Sequence, residues 1–542
     1  MALAVLVMLP RLASPQFGLL DDGLTLQTGR EVAGAWSSTL YLIPETGRFF
    51  PAYWLAYSII VTVVGARPLA FFAVNALLLA GLLALLARLI RHAGGTPRQA
   101  AIAAVVFAVS GPAIETFYTL SKAEGLQMAW IAVSLLATAA STATPRRTRR
   151  AGLIALAAVA MLLADATKET GLVLIPISLG WLAIDWWLAR DRSAGLRFAA
   201  TYVVVNLVAG AAFAVLRWSY APLALGEGTY TRAYALDGDA AGAALFRIAS
   251  WLVRDFAFLL PLLVVAALSL TRGTPASRRL ILYISVWMAG WLAVYVPWPA
   301  TFEYYLLPFS FGAAALAGTL VGDGWTRGVF SRGGTTRRAA AWSVLAASAL
   351  LWLGAIVNAV MDARVQLTVD RANADLVDFL GALPGASRIV LNTRMNEYFF
   401  ELPLHLTEIK RRSDVVVEHV AHVAPGRPSA VDVFVLTPEL ANRPLPTVRV
   451  ALDEPGVRDD HAMLTAMVQG GATPVYRSAH RSRLAELGIH RLLCRVAARP
   501  FIDYAYCPSD RPVLYRGTFS YGWQVHRLSR ARMDRVEARR DG

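Results

Sequence analysis

Two adjacent carboxylates, Asp21 and Asp22, close an apolar N-terminal stretch. Paired acids of this kind can deprotonate a hydroxyl or hold a divalent cation. The same dipeptide also serves solvated loops and helix N-caps. Further charges recur at the ends of long apolar runs: Glu115, Lys122 and Glu124; Asp165, Lys168 and Glu169; Glu227, Asp237 and Asp239; and Glu303, followed by Tyr304 and Tyr305. Of 52 basic residues only three, Lys122, Lys168 and Lys410, are lysines. An ammonium is a compact point charge that suits a phosphate oxygen, whereas a guanidinium is broad and planar. For Lys168-Glu169, an ion pair that pins two helix ends is an equal reading. Interfacial aromatic residues account for Tyr304 and Tyr305 as well as sugar binding does. Cys494 and Cys507 have no metal-ligand spacing, and both a disulfide and two free thiols remain open.

The elements that must hold these side chains are membrane helices. The chain has 542 residues, of which 56% are hydrophobic and 16% charged, with a mean hydropathy of +0.49. A soluble chain carries roughly 25% charged residues, and about 20 helical residues cross the hydrocarbon layer. Apolar spans are expected near 1–20, 69–87, 99–114, 125–143, 151–166, 170–188, 198–216, 252–270, 280–298, 304–321 and 339–361. Pro10, Arg11 and Pro15 interrupt the first. The formal charge of +15 does not signal nucleic acid, because the arginines form no basic face. They cluster instead in alternate loops: Arg88, Arg91 and Arg98; Arg146 to Arg150; Arg190, Arg192 and Arg197; Arg272, Arg278 and Arg279; and Arg327 to Arg338. By the positive-inside rule these five loops are cytoplasmic, as is the N-terminus, and the C-terminus lies outside.

The stretch 50–65, with Tyr53, Trp54 and Tyr57, is short for a span and suits a helix in the outer headgroup layer. After Met361 charges multiply, and strand-like runs at Arg388–Asn392 and Asp414–Glu418 alternate with amphipathic stretches. The expected architecture is therefore a polytopic α-helical membrane protein of about 11 transmembrane helices, 1–362, followed by an extracytoplasmic soluble α/β domain, 363–542. Tyr515, Phe519, Tyr521 and Trp523 could stack on glycan, although a half-buried strand fits their spacing better. Met1 to Leu9 lacks a basic start and a small-residue cleavage site, so no cleavable signal peptide is expected.

The order of the polar segments carries a resemblance. Asp21-Asp22 comes first, then Gly47-Arg48-Phe49-Phe50-Pro51, Asn75, Glu115 to Glu124, and Ala166-Thr167-Lys168-Glu169-Thr170. This series resembles the GT-C superfamily of membrane glycosyltransferases, which includes protein O-mannosyltransferases and lipid A aminoarabinose transferases. The resemblance covers roughly 1–322. It departs from the family where a clear full-length first helix is missing, and it assigns no family to the C-terminal domain. It implies an inverting transfer from a polyprenyl-phosphate sugar to a hydroxyl of a glycan, lipid or protein at the outer face of the membrane, which the scarcity of lysine and heavy use of alanine suggest is a bacterial cytoplasmic membrane. Asp21 or Asp22 would be the base. Lys122, Lys168 and Arg48 would face the phosphate, and Glu115, Glu124 and Glu169 would orient those cations or bind sugar hydroxyls. Glu303 and Tyr304 would contact the sugar. A divalent metal beside the aspartates is compatible with this chemistry, and no other cofactor is implied. A transporter or flippase is the alternative, but its charges normally sit near the bilayer midplane. A scaffold without activity would leave the Asp-Asp and Lys-Glu pairs without a role.

Overall fold

The computed structural model describes residues 1–19, 21–35, 49–188, 194–220, 238–272, 275–298, 302–326, 335–392, 401–422, 431–438, 455–469, 472–487 and 514–528. The chain divides into two compact units. The first comprises Met1–Leu12, Val32–Ile59 and Phe72–Val360; the second comprises Ala13–Glu31, Ile60–Phe71 and Met361–Gly542.

The first unit is helical. Among the described residues seven helices are long and apolar enough to cross a membrane, or nine if each bent pair counts as one span. Together they make this an integral, multi-pass membrane protein. The expected count of 11 differs partly at the first span, where α1 covers only Ala2–Ala13. Twelve residues rise about 18 Å, well short of the hydrocarbon thickness. Two other expected spans are broken. The stretch read as 99–114 is α5 (Pro97–Ala108) and α6 (Gly111–Tyr118), bent by 60°. Pro112 cannot donate into a continuing ladder, so Ser110 and Gly111 form a new helix start. At 252–270 the break lies between Ala244–Phe256 and Leu259–Ala267, with a bend of 86°.

Local sequence explains the helix ends. A capping box starts α5, in which Thr96 Oγ1 accepts from the Gln99 N–H at 3.2 Å and Gln99 Oε1 accepts from the Thr96 N–H at 2.6 Å. Helices α7 (Ala123–Ala143) and α8 (Arg147–Thr167) form a hairpin around Pro145. Their alanines allow close approach, and the Ser134 hydroxyl donates across to the Ala157 carbonyl at 2.8 Å. The expected interfacial segment is α3 (Pro51–Val64), a 14-residue apolar helix.

The second unit is α/β. Its sheet has the order β2-β1-β3-β5-β4, with β1 (Ser387–Leu391), β2 (Val415–His419), β3 (Asp432–Pro438), β4 (Thr473–Leu487) and β5 (Leu514–Leu528). Strand β1 runs parallel to β2 and β3, whereas β5 is antiparallel to β3 and β4. Alternation along β1 sends Ile389 and Leu391 into one core with Leu376, Leu380, Leu402, Phe434 and Trp523. Val390 joins Val433, Val435 and Leu464 in the other. A helix therefore covers each face: the end of Thr335–Gly381 on one, and Pro455–Gln469 on the other. Tyr521 and Trp523 are buried core residues.

Candidate functional site

The first unit gathers several of the expected residues. Lys122 stands immediately before α7, and Glu124 opens that helix, while Lys168 ends α8 in extended backbone. The turn after α8 is fastened by Gln127, whose Nε2 donates to the Lys168 carbonyl at 2.5 Å. Lys168 thereby meets Glu124 in a hydrogen-bonded ion pair, with both side chains buried. A short 3-10 helix, Glu303–Leu306, brings two tyrosine rings over the lysines. The Lys122 ammonium lies 4.2 Å from the Tyr304 ring centre and the Lys168 ammonium 4.1 Å from that of Tyr305. The two rings meet edge to face at 4.5 Å, an arrangement in which each negative π face is turned to a cation. Glu115 lies on α6 and is half-buried. Glu169 begins the 3-10 turn after Lys168 and is half-buried.

Lys122 differs from its neighbour. It is 8% exposed, and among the described residues no carboxylate lies within ion-pair distance of it. A buried ammonium loses solvation that a π face only partly replaces. An anion entering beside Tyr304 would restore what burial removed.

Glu303 has a partner that sequence reading overlooked. Arg254 Nη1 lies 2.7 Å from Glu303 Oε2 and 3.8 Å from Asp255 Oδ2, all three residues being buried. A Cβ on Gly111 would run into Glu303 and come within 3.3 Å of Asp255, so the start of α6 has to be glycine for this cluster to close. The signal was present as Arg254-Asp255 inside an otherwise apolar run, a pattern that marks a bundle interior. Arg11, first read as an interruption, is fully buried with its guanidinium 3.9 Å from the Phe72 ring centre. Arg48, Glu227, Asp237, Cys494 and Cys507 fall outside the described residues, as does the side chain of Asp239.

Asp21 and Asp22 belong to the second unit. Asp22 is 2% exposed and its Oδ2 accepts from the Gly18 N–H at 2.8 Å. Asp370, buried near the end of the long helix, faces the same glycine: a Cβ there would lie 2.9 Å from Asp370 Oδ1 and 3.6 Å from Asp22 Oδ2. Asp21 is half-buried and holds φ at +61°, a region sparsely used by residues other than glycine, asparagine and aspartate. Its carbonyl accepts from the Thr25 N–H at 2.9 Å and so begins the helix α2 (Asp22–Gly34). The next amides are bound from far along the chain. Gly23 N–H donates to Glu401 Oε2 at 2.5 Å, and Leu24 N–H to Glu401 Oε1 at 3.1 Å. Nothing in the sequence around Glu401 announced this role. Among the described residues no group of three or more His, Cys, Asp or Glu side chains is placed to hold a metal ion.

No family model matches the chain, and no curated protein matches it. Solved structures do resemble it. The oligosaccharyltransferase of Archaeoglobus fulgidus in its apo form is similar at 12% identity and a TM-score of 0.47, over 88% of this chain and 72% of that one. ArnT from Cupriavidus metallidurans, bound to undecaprenyl phosphate, is similar at 16% identity and a TM-score of 0.48, over 81% of this chain and 92% of that one. The arabinofuranosyltransferase AftD from Mycobacteria is similar at 19% identity and a TM-score of 0.41, over 96% of this chain and 41% of that one.

Proposed function

We propose that the protein is a GT-C type glycosyltransferase that moves a sugar from a polyprenyl-phosphate donor to an acceptor hydroxyl, on the non-cytoplasmic side of a bacterial membrane. One observation carries the reading: Lys122 is a buried ammonium set against an aromatic face, with no carboxylate in ion-pair distance among the described residues. A lipid-linked phosphate at the bilayer rim is an anion of the right charge and location for it.

The chemistry is a single displacement. The acceptor oxygen bonds to the anomeric carbon while the bond from that carbon to the phosphate oxygen breaks, which inverts the centre. The electron pair leaves with the polyprenyl phosphate, and a cation beside that oxygen lowers the barrier. The acceptor proton passes to Asp21 or Asp22 acting as base. Lys122 is assigned to the phosphate, with Arg48 as a second cation. Glu124 holds Lys168 as part of the wall. Glu115, Glu169, Glu303 and Tyr304 are assigned to sugar hydroxyls or to the orientation of the cations.

Purified protein in nanodiscs is incubated with a panel of polyprenyl-phosphate sugars and a bacterial envelope extract that supplies acceptor hydroxyls, and release of polyprenyl phosphate is followed by mass spectrometry. Consumption of at least one donor, lost on Lys122→Met, is expected. A chain that consumes none of them, or whose Lys122→Met variant consumes donor like wild type, does not work in this way.

A further inference from the structure

We propose that Glu401 is a positioning residue for Asp21: it caps helix α2 in place of the aspartate, and so leaves the Asp21 carboxylate available to the acceptor. The proposal rests on the base reading above and chooses between its two aspartates.

A helix start leaves backbone N–H groups without partners, and the N-cap side chain normally accepts from the N–H of the second or third helical residue. By its carbonyl bond to Thr25, Asp21 occupies the N-cap position, and aspartate is among the residues best suited to the task. Two features show that it does not perform it. A capping residue typically has extended backbone at this position, whereas Asp21 holds φ at +61°. The amides it would serve, those of Gly23 and Leu24, are already bound by the two oxygens of Glu401. Among the described residues the Asp21 carboxylate makes no hydrogen bond.

Glu401 is built for this reach. It is fully buried, in the first turn of the helix Glu401–Glu408, whose Leu402 and Leu406 are anchored in the core of the α/β unit. Its negative charge lies at the positive end of α2, where a carboxylate is favoured. Nε2 of His405 is 3.7 Å from Glu401 Oε2. One turn further on, Glu408 forms an ion pair with Arg30 and accepts a second bond through its carbonyl at 3.1 Å. The approach depends on Gly23, because a Cβ there would lie 2.8 Å from Glu401 Oε2 and 2.9 Å from the Leu404 Cβ. Asp22, by contrast, is buried and bonded to the Gly18 N–H. Of the two acids, only Asp21 is half-buried and, among the described residues, uncommitted. Backbone strain at such a position is a feature that functional residues share.

The test uses the full-length protein in nanodiscs with a polyprenyl-phosphate sugar that wild type consumes, and reads kcat and donor KM separately. Glu401→Asp keeps the charge but shortens the reach. It is expected to lower kcat about tenfold at unchanged donor KM, as Asp21 turns back to cap its own helix. Glu401→Gln keeps the length and one accepting oxygen, and is expected to stay within about threefold of wild type. Asp21→Asn is expected to lose far more turnover than Asp22→Asn. Monodisperse elution and an unchanged melting midpoint establish that each variant is folded. A wild-type kcat in Glu401→Asp beside an inactive Asp21→Asn overturns the positioning role alone. A Glu401→Gln variant as inactive as Asp21→Asn also overturns it, since the charge itself would then be required. Full turnover in Asp21→Asn removes the base reading, and the positioning role with it.

Discussion

Lys168 and Lys122 have the same charge, similar burial and a tyrosine ring each, yet replacing them with methionine should have opposite consequences. Lys168 is paired with the buried Glu124. Losing the ammonium strands a carboxylate, and breaking a buried pair from one side costs about 3–5 kcal/mol. Loss of the contact with Tyr305, at 4.1 Å, adds about 0.5–2 kcal/mol. Lys122→Met strands no carboxylate among the described residues. It forfeits the contact with Tyr304, again about 0.5–2 kcal/mol, and this is offset because a charge no longer has to be buried. Lys168→Met should therefore melt well below Lys122→Met in the same detergent, and adding Glu124→Leu should recover most of the difference. Donor use should rank the other way per folded molecule. A charged hydrogen bond to phosphate is worth about 1.5–3 kcal/mol, so Lys122→Met should lower kcat/KM about 10- to 150-fold. The measurements are melting by fluorescence-detected size exclusion and initial rates of donor consumption. Equal melting of the two variants, or recovery absent in the Lys168/Glu124 double variant, would refute the division of labour.

Asp21→Asn should lower turnover by about 10²–10⁴-fold while the protein still folds, because asparagine tolerates positive φ; a collapsed elution profile instead would point to a structural aspartate. Lys122→Arg should impair donor use despite conserving charge, whereas Lys410→Arg, beside its partner Asp378 in the α/β unit, should be silent; matching rates for both would remove the case for a compact ammonium. A reporter fused after Gly542 should be active only if it functions outside the cytoplasm, and activity of a cytoplasm-only reporter would reverse the topology. Burial holds the His526 imidazole below its ordinary value. The unfolded chain therefore protonates first on acidification, so the stability contributed by the neutral ring is complete above about pH 6.5 and is lost as pH falls through the lower folded value. His526→Phe should make the acid-side decline in melting less steep, and an unaltered slope would count against this origin.

Much of the architecture was legible because it follows from periodicity and charge. The runs at Arg388–Asn392 and Asp414–Glu418 became β1 and β2, each displaced by one residue. The bend inside 99–114 was missed, although Ser110-Gly111-Pro112 is a breaker sequence, because the hydropathy on both sides is continuous. For the polar residues, presence was easier to read than partnership. Lys168 drew attention through its neighbour Glu169, yet it bonds to Glu124, 44 residues earlier. Glu303 was noticed while its counter-charge, Arg254, lay unremarked inside a span. Which charges meet is decided by helix packing, and a single sequence holds no record of it. Glu401 was least legible, since neither its neighbours nor its spacing mark a carboxylate that caps a helix near the other end of the chain.

The 378 residues that separate Gly23 from Glu401 have a meaning for synthesis as well as for geometry. Translation at about 5–20 residues per second places roughly 20–75 s between the two on the ribosome. Throughout that interval the amides of α2 have no Glu401 to accept them, and Asp21 is free to cap its own helix. The start of α2 can reach its mature form only after the long helix Thr335–Gly381 has been made and the α/β unit has begun to fold. A nascent chain thus carries its proposed base in an unfinished setting until residue 401 has been made, and a ribosome stalled before that residue would hold a chain in which the start of α2 still lacks its acceptor.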